Sequence, residues 1–185
     1  YDLQTKVESA KALSYLGARQ ALTVMEPYVS GQAERCPGYK TQNESQREED
    51  CLFVRNSVIN GLHHLTRLYP KQIRAMLMPV YKDRSENEEV RMNALTVIMQ
   101  TNPKAHELVS IASDLRTENN HQVRSLTHSL LKNAAHLTEP CHTNLAQAAR
   151  KALNFIPEYD EENKNAYSQA KWKDYYDDES QNGAA

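Results

Sequence analysis

The chain has 185 residues, with 22 basic side chains against 24 acidic ones, 5 glycines and 7 prolines; this is the composition of one ordinary soluble domain and excludes the collagenous class. No apolar stretch approaches the roughly 20 residues needed to cross a bilayer, and Tyr1 to Lys11 carries polar side chains where a secretion signal has an apolar block. Residues 158–185 hold eight acids against Lys164, Lys171 and Lys173, which leaves residues 1–157 at +3, too dilute a positive charge for a nucleic-acid face.

A start at Tyr1 rather than Met, and a close in Gly183-Ala184-Ala185, read as a segment of a longer protein. Strand alternation never persists for five positions, whereas apolar residues recur at spacings of three and four across residues 3–156, so the body is expected to be all helix. Gly17 divides the first stretch into helices near 2–16 and 18–30. Residues 31–49, with Gly31, Pro37, Gly38 and a polar run, read as an exposed loop longer than a usual helix connection. Val54, Val58, Leu62 and Leu65 stripe a helix near 50–68. Pro70 opens the next, near 70–82, where Ile73, Met76, Leu77 and Val80 face one way. Within it Pro79 lacks a backbone donor, which predicts a kink or an early end.

Ser85 with Glu88 reads as a capping box ahead of a helix near 86–101, striped by Val90, Ala94, Val97 and Ile98. Asn102 before Pro103 reads as a cap and first-turn proline for a helix near 103–117, with Leu108, Ile111, Ala112 and Leu115 inward. A seventh helix near 119–136 carries Val123, Leu126, Leu130 and Ala134. Thr138 and Pro140 start an eighth near 140–155, with Leu145, Ala148, Ala149, Ala152 and Ile156. Residues 157–185, acidic and aromatic, lack helical periodicity and read as a linker or the start of a following domain.

Val54-Arg55, Val90-Arg91 and Val123-Arg124 recur 36 and 33 residues apart, each expected near the start of its helix, and at the second offset Val97-Ile98 lies over Leu130-Leu131. A short amphipathic pair cannot bury its stripe alone, so stacked pairs are expected: an all-α, two-layer α-solenoid of antiparallel helix pairs, HEAT-like over residues 1–156. Arg55, Arg91 and Arg124 are expected to form a structural ladder paired with acids such as Asp50 and Glu89, since a phosphate groove would need cations without interleaved acids.

Cys36 and Cys51 bracket the long loop, and in an oxidising compartment a bridge would close about 16 residues and remove roughly 3 kcal/mol of unfolded-state freedom. Two reduced thiols in a cytosolic protein are the alternative. Asn43-Glu44-Ser45 in the same loop is a glycosylation acceptor sequence. Loop, cysteines and sequon together favour secretion. Cys141 fits a small buried hydrophobe. His63-His64 and Cys141-His142 are adjacent pairs whose side chains should diverge on a helix, so no metal ligand and no cofactor are expected. With no nucleophile elbow, phosphate-cradling glycine loop or carboxylate pair, the chain does not read as an enzyme.

Leu77-Met78-Pro79-Val80-Tyr81-Lys82-Asp83-Arg84, then Glu89-Val90-Arg91-Met92-Asn93-Ala94, then Thr101-Asn102-Pro103, resembles the helical domain of large lipid transfer proteins, the family of vitellogenins and apolipophorins. Ala12-Leu13-Ser14-Tyr15-Leu16-Gly17, followed by Ala21-Leu22 and Pro27-Tyr28, is similar to that family's repeated helix pairs, so the resemblance covers residues 1–156. It implies a right-handed horseshoe of two helical layers that braces a lipid cavity in a secreted lipid transport or yolk storage protein. It implies as partners the β-sheet lipid-binding domains of the same polypeptide, with lipid met only indirectly and held by the full-length protein; a homo-oligomer of that protein is left open. It points to an arthropod source, a mite allergen group included. The rival reading from the residues alone is a cytosolic HEAT-type adaptor that binds a protein partner in its groove.

Overall fold

The computed structural model describes residues 3–31, 44–156, 175–177 and 182–184. Among the described residues eight α-helices run in order: α1 Leu3–Tyr15, α2 Arg19–Val29, α3 Glu44–Gly61, α4 Pro70–Lys82, α5 Glu88–Gln100, α6 Ala105–Asp114, α7 His121–Ala135 and α8 Thr143–Leu153. Short 3-10 turns extend three of the connections, at Leu62–Leu65, Leu115–Thr117 and Pro140–His142. The class is all-α and built from packed helix pairs, as the apolar spacing requires.

The chain divides into two compact units, Tyr1–Asn102 and Pro103–Ala185. In the first, α3 packs on α1 and α5 packs on α3, while α2 and α4 touch each other, α2 lies against α3 and α4 against α5. Alternate helices therefore share a layer, which is how a helix pair buries a stripe that it cannot bury alone. Val54, Val58, Ile59, Leu62 and Leu65 are buried on the α3 side, and Ile73, Leu77 and Ile98 are fully enclosed in the α4–α5 pair. In the second unit α8 packs on both α6 and α7, with Leu108, Ile111, Leu130, Leu131 and Ala149 sealed between them. Each amphipathic stripe read from the sequence thus supplies buried residues.

Gly17 separates α1 from α2 with a φ of 65°, a left-handed conformation that side chains with a Cβ resist. Tyr69 donates its hydroxyl to the Gly17 carbonyl at 3.0 Å and fixes that corner against the approach to α4. Pro70 occupies the first turn of α4 as expected, where its missing N–H costs no helical bond.

Several boundaries differ from the sequence reading. The third helix begins at Glu44 rather than near residue 50, so it absorbs part of the expected loop and the second and third residues of the Asn43 sequon; Asn43 itself lies outside the described residues. α4 continues through Pro79 to Lys82, because the proline's exposed ring sits late in the helix and only one upstream carbonyl loses its partner. Asn87, not Ser85, caps α5, its side chain accepting from Glu89 N at 2.8 Å. Ser85 instead donates its hydroxyl and its backbone N–H to Asp83 Oδ1, and these bonds hold the Asp83 carboxyl below its usual range. Asn102 takes a left-handed φ of 51°, Pro103 lies ahead of the helix, and α6 starts at Ala105 with Glu107 accepting from Lys104 N. Tyr175–Asp177 pairs antiparallel with Asn182–Ala184 as β1 and β2, a short hairpin in a segment read as linker.

Candidate functional site

The three repeated arginines all donate to main-chain carbonyls that precede their own helices. In α3, Arg55 donates through Nε and Nη2 to the Val29 carbonyl, at 3.2 and 2.9 Å, at the end of α2. In α5, Arg91 Nε donates to the Tyr81 carbonyl at 3.0 Å, in the last turn of α4. Before α7, the Glu118 carbonyl accepts from Arg124 Nη2. Arg55 and Arg91 therefore cap the C-terminal ends of α2 and α4, where unpaired carbonyls gather partial negative charge, while Arg124 bonds the extended residue Glu118 just ahead of its own helix. The paired valines, Val54, Val90 and Val123, are all buried. One residue of the dipeptide packs inward while its neighbour turns sideways to the adjacent helix end.

This differs in part from the expected ladder of ion pairs. Arg55 Nη2 does meet a carboxylate, but it is Glu86 Oε2 at 2.6 Å, with both side chains largely covered. The partners common to the series are main-chain carbonyls. Gly31, with a φ of 70°, lets this happen: a Cβ there would stand 3.3 Å from the Arg55 guanidinium.

The sequence reading missed three further members. Arg74 Nη1 donates to both the Thr101 carbonyl and Thr101 Oγ1 at 3.0 Å, capping α5 from the first turns of α4. Arg74 and Arg91 thereby tie α4 and α5 at both ends, and both guanidinium side chains are buried. Arg150 Nε donates to the Ala135 carbonyl at 2.9 Å and Arg116 Nε to the Phe155 carbonyl at 3.3 Å within the second unit. A sequence signal existed for two of the series. Asn87 and Asn120 each stand four residues ahead of the arginine and cap α5 and α7, so the unit is Asn-x-x-Val-Arg rather than a dipeptide. In α3 the corresponding position is Cys51, because that helix starts earlier.

Cys51 is half-buried and disulfide-bonded, while Cys36 lies outside the described residues. Cys141 is exposed and free, not buried as expected. Adjacent side chains also stay together, rather than diverging as expected, at both histidine positions. His63 and His64 lie in a 3-10 turn with ring centroids 3.6 Å apart, and the Tyr15 ring stands 4.1 Å from His64. Burial, and then the neighbouring His63, push the His64 pKa down. Glu139, Cys141 and His142 converge in the turn before α8, so three ligand types lie together where the sequence suggested none. Tyr15, Leu16 and Leu68 are exposed apolar residues of the first unit, and a Cβ on Gly17 would touch Leu68 Cδ1 at 3.3 Å.

Residues 4–132, with this alternation of buried stripe and capped helix end, match the family described as the vitellogenin TPR domain. The chain belongs to that family. Among its relatives, Vitellogenin-1 of Caenorhabditis elegans is 38% identical over 104 residues, which are 56% of this chain and 6% of that protein. Vitellogenin of Oncorhynchus mykiss is 27% identical over 134 residues, 72% of this chain and 8% of that one. A solved structure titled "Lipid-protein interactions in lipovitellin" superposes with a TM-score of 0.67 at 20% identity, covering 82% of this chain and 15% of that one. The fold is thus that of a vitellogenin helical segment, and the chain spans less than a tenth of the length of the vitellogenins it matches. These relatives are nematode and fish proteins; the arthropod source and the mite-allergen kinship stand as expectations from the resemblance alone.

Proposed function

We propose that this chain is a non-enzymatic scaffold segment of a secreted lipid transport or yolk storage protein, bracing a lipid cavity formed by β-sheet domains of the same polypeptide. The observation that carries the reading is the family match over residues 4–132, in a chain whose helix ends are clamped to their neighbours by arginines. A stack tied in this way resists splaying, which is what a brace must do. The exposed Tyr15, Leu16 and Leu68 offer an apolar face for a neighbouring domain to cover. In this reading residues 1–156 are the brace and residues 157–185, with their short hairpin, lead toward the next domain.

Secretion is part of the same proposal, with Cys36 bridged to Cys51 and glycan carried at Asn43. The bonded state of Cys51 supports it. Counting thiols under denaturing, non-reducing conditions is expected to give one per chain. Three would favour a reduced cytosolic adaptor.

The decisive experiment is deletion of this segment from the full-length protein, followed by measurement of lipid per secreted molecule. We expect secretion or lipid loading to fall sharply, and the isolated chain to hold no stoichiometric lipid. Normal loading without the segment would refute the brace.

A further inference from the structure

The C-terminal end of α1 and the connection from α3 to α4 meet at one exposed corner of the first unit. Tyr15, Leu16 and Leu68 are 71%, 70% and 58% exposed there, although all three side chains are large and mainly apolar. Their places are fixed by packing. The Tyr15 ring stands 4.1 Å from His64, which stacks in turn on His63 at 3.6 Å. Leu68 Cδ1 lies 3.3 Å from where a Gly17 Cβ would stand, and Tyr69 donates its hydroxyl to the Gly17 carbonyl.

The charge around this corner has one sign. Residues 9–25 and 51–82, which build it, contain no aspartate or glutamate. Of their cations, Lys11, Arg55, Arg74 and Lys82 are engaged with other groups. Arg19, Arg67 and Lys71 are exposed and make no hydrogen bond or ion pair with any described residue. These three lie at the corner itself: Arg67 precedes Leu68, and Arg19 and Lys71 follow Gly17 and Tyr69 by two positions. Three cations beside an apolar patch, with no acid in either segment, set up a positive potential that an anionic partner lowers. Arginine and tyrosine are also among the side chains that the centres of interfaces favour.

The size of the patch selects the class of partner. Binding in a lipid interface lays the apolar face of a whole amphipathic helix among the headgroups. At this corner apolar exposure is confined to the last residue of α1, to Leu16 just beyond it and to Leu68 in the connection, a width that one or two side chains of a polypeptide cover. We propose that the corner seats an acidic segment of a neighbouring domain of the same polypeptide, its carboxylates on Arg19, Arg67 and Lys71 and its aromatic or branched side chains on Tyr15, Leu16 and Leu68. The source of that segment rests on the brace reading; the chemistry of the contact rests on the corner alone.

The test measures binding of the chain to a random copolymer of glutamate and tyrosine, with polyglutamate and phosphatidylserine vesicles in parallel. We expect the copolymer to bind, more tightly than polyglutamate and more weakly as salt rises. Arg67→Glu with Lys71→Glu should weaken binding by about tenfold or more, and Leu16→Ser with Leu68→Ser by about threefold or more. Lys132→Glu with Lys151→Glu, a charge reversal of the same size in the second unit, should leave it unchanged. Far-ultraviolet circular dichroism verifies that each variant keeps its helices. No binding, no gain over polyglutamate, equal loss in both charge-reversed pairs, or binding to the vesicles in place of the copolymer would overturn the proposal. Lipid per secreted full-length molecule keeps the two readings apart. Normal loading after deletion of the segment removes the brace and leaves the copolymer contact standing; lost loading on deletion, with unchanged copolymer affinity in the Arg67→Glu, Lys71→Glu variant, removes the contact and leaves the brace.

Discussion

Gly61 ends α3 in ordinary right-handed helical geometry, with φ −58° and ψ −31°, so alanine meets no backbone penalty there. On local grounds Gly61→Ala should stabilise the helix by up to about 1 kcal/mol. The packing reverses the sign. A Cβ at this position would stand 2.6 Å from Ser14 Oγ and 3.7 Å from Ser14 Cβ, where α1 lies against α3. Ser14 is buried and donates that hydroxyl to the Ala10 carbonyl at 2.8 Å. To clear the methyl, either the hydroxyl leaves its acceptor or the helices part, and a buried hydroxyl without a partner costs about 1–3 kcal/mol. We therefore expect Gly61→Ala to destabilise the first unit by up to about 2 kcal/mol, the penalty less the propensity gain.

Ser14→Ala removes the oxygen and leaves a methyl at ordinary contact distance, so the double variant should recover to within about 0.5 kcal/mol of the parent or exceed it, a coupling of about 2 kcal/mol. Urea unfolding of the four proteins, followed by helical circular dichroism, measures the cycle. A stable Gly61→Ala with Ser14 intact, or additive single effects, would refute the stated contact.

Arg91→Met should cost about 1.5–3 kcal/mol, because it strips a charge-assisted hydrogen bond from the Tyr81 carbonyl inside the α4–α5 pair, and amide exchange should rise in the last turn of α4. Gly17→Ala should cost about 1–2 kcal/mol in thermal or urea unfolding through its positive φ, with Gly17→Asn closer to the parent; equal costs would point instead to contact with Leu68. His64 has a folded-state pKa below its ordinary value of 6.5, so the unfolded chain takes up that proton first as pH falls. The stability tied to it is present above 6.5 and is lost as pH falls through the depressed folded value; urea midpoints should drop across that window and flatten in His64→Gln.

The helices, their inward stripes, the break at Gly17 and the start at Pro70 were legible in the chain itself, because periodicity and backbone restriction are local properties. The recurrence of Val-Arg also marked a repeated device, and the resemblance pointed to the right family. What the device does was not legible: Arg55 reaches 26 residues back to Val29 and Arg74 reaches 27 forward to Thr101, and such partners exist only once helices have stacked. The cap at Asn87 has a local cause instead: Ser85 is tied to Asp83, and Asn87 accepts from Glu89 N.

At Cys141 and His142, adjacency argued for divergence under helical geometry, and a proline-led 3-10 turn brought both together with Glu139. Sequence by itself determined which residues turn inward and where the backbone bends, since those choices depend on a residue and its near neighbours. Only the tertiary structure decided which carbonyl each arginine caps and which polar groups meet, because those pairings join atoms that the chain alone leaves far apart or facing different ways.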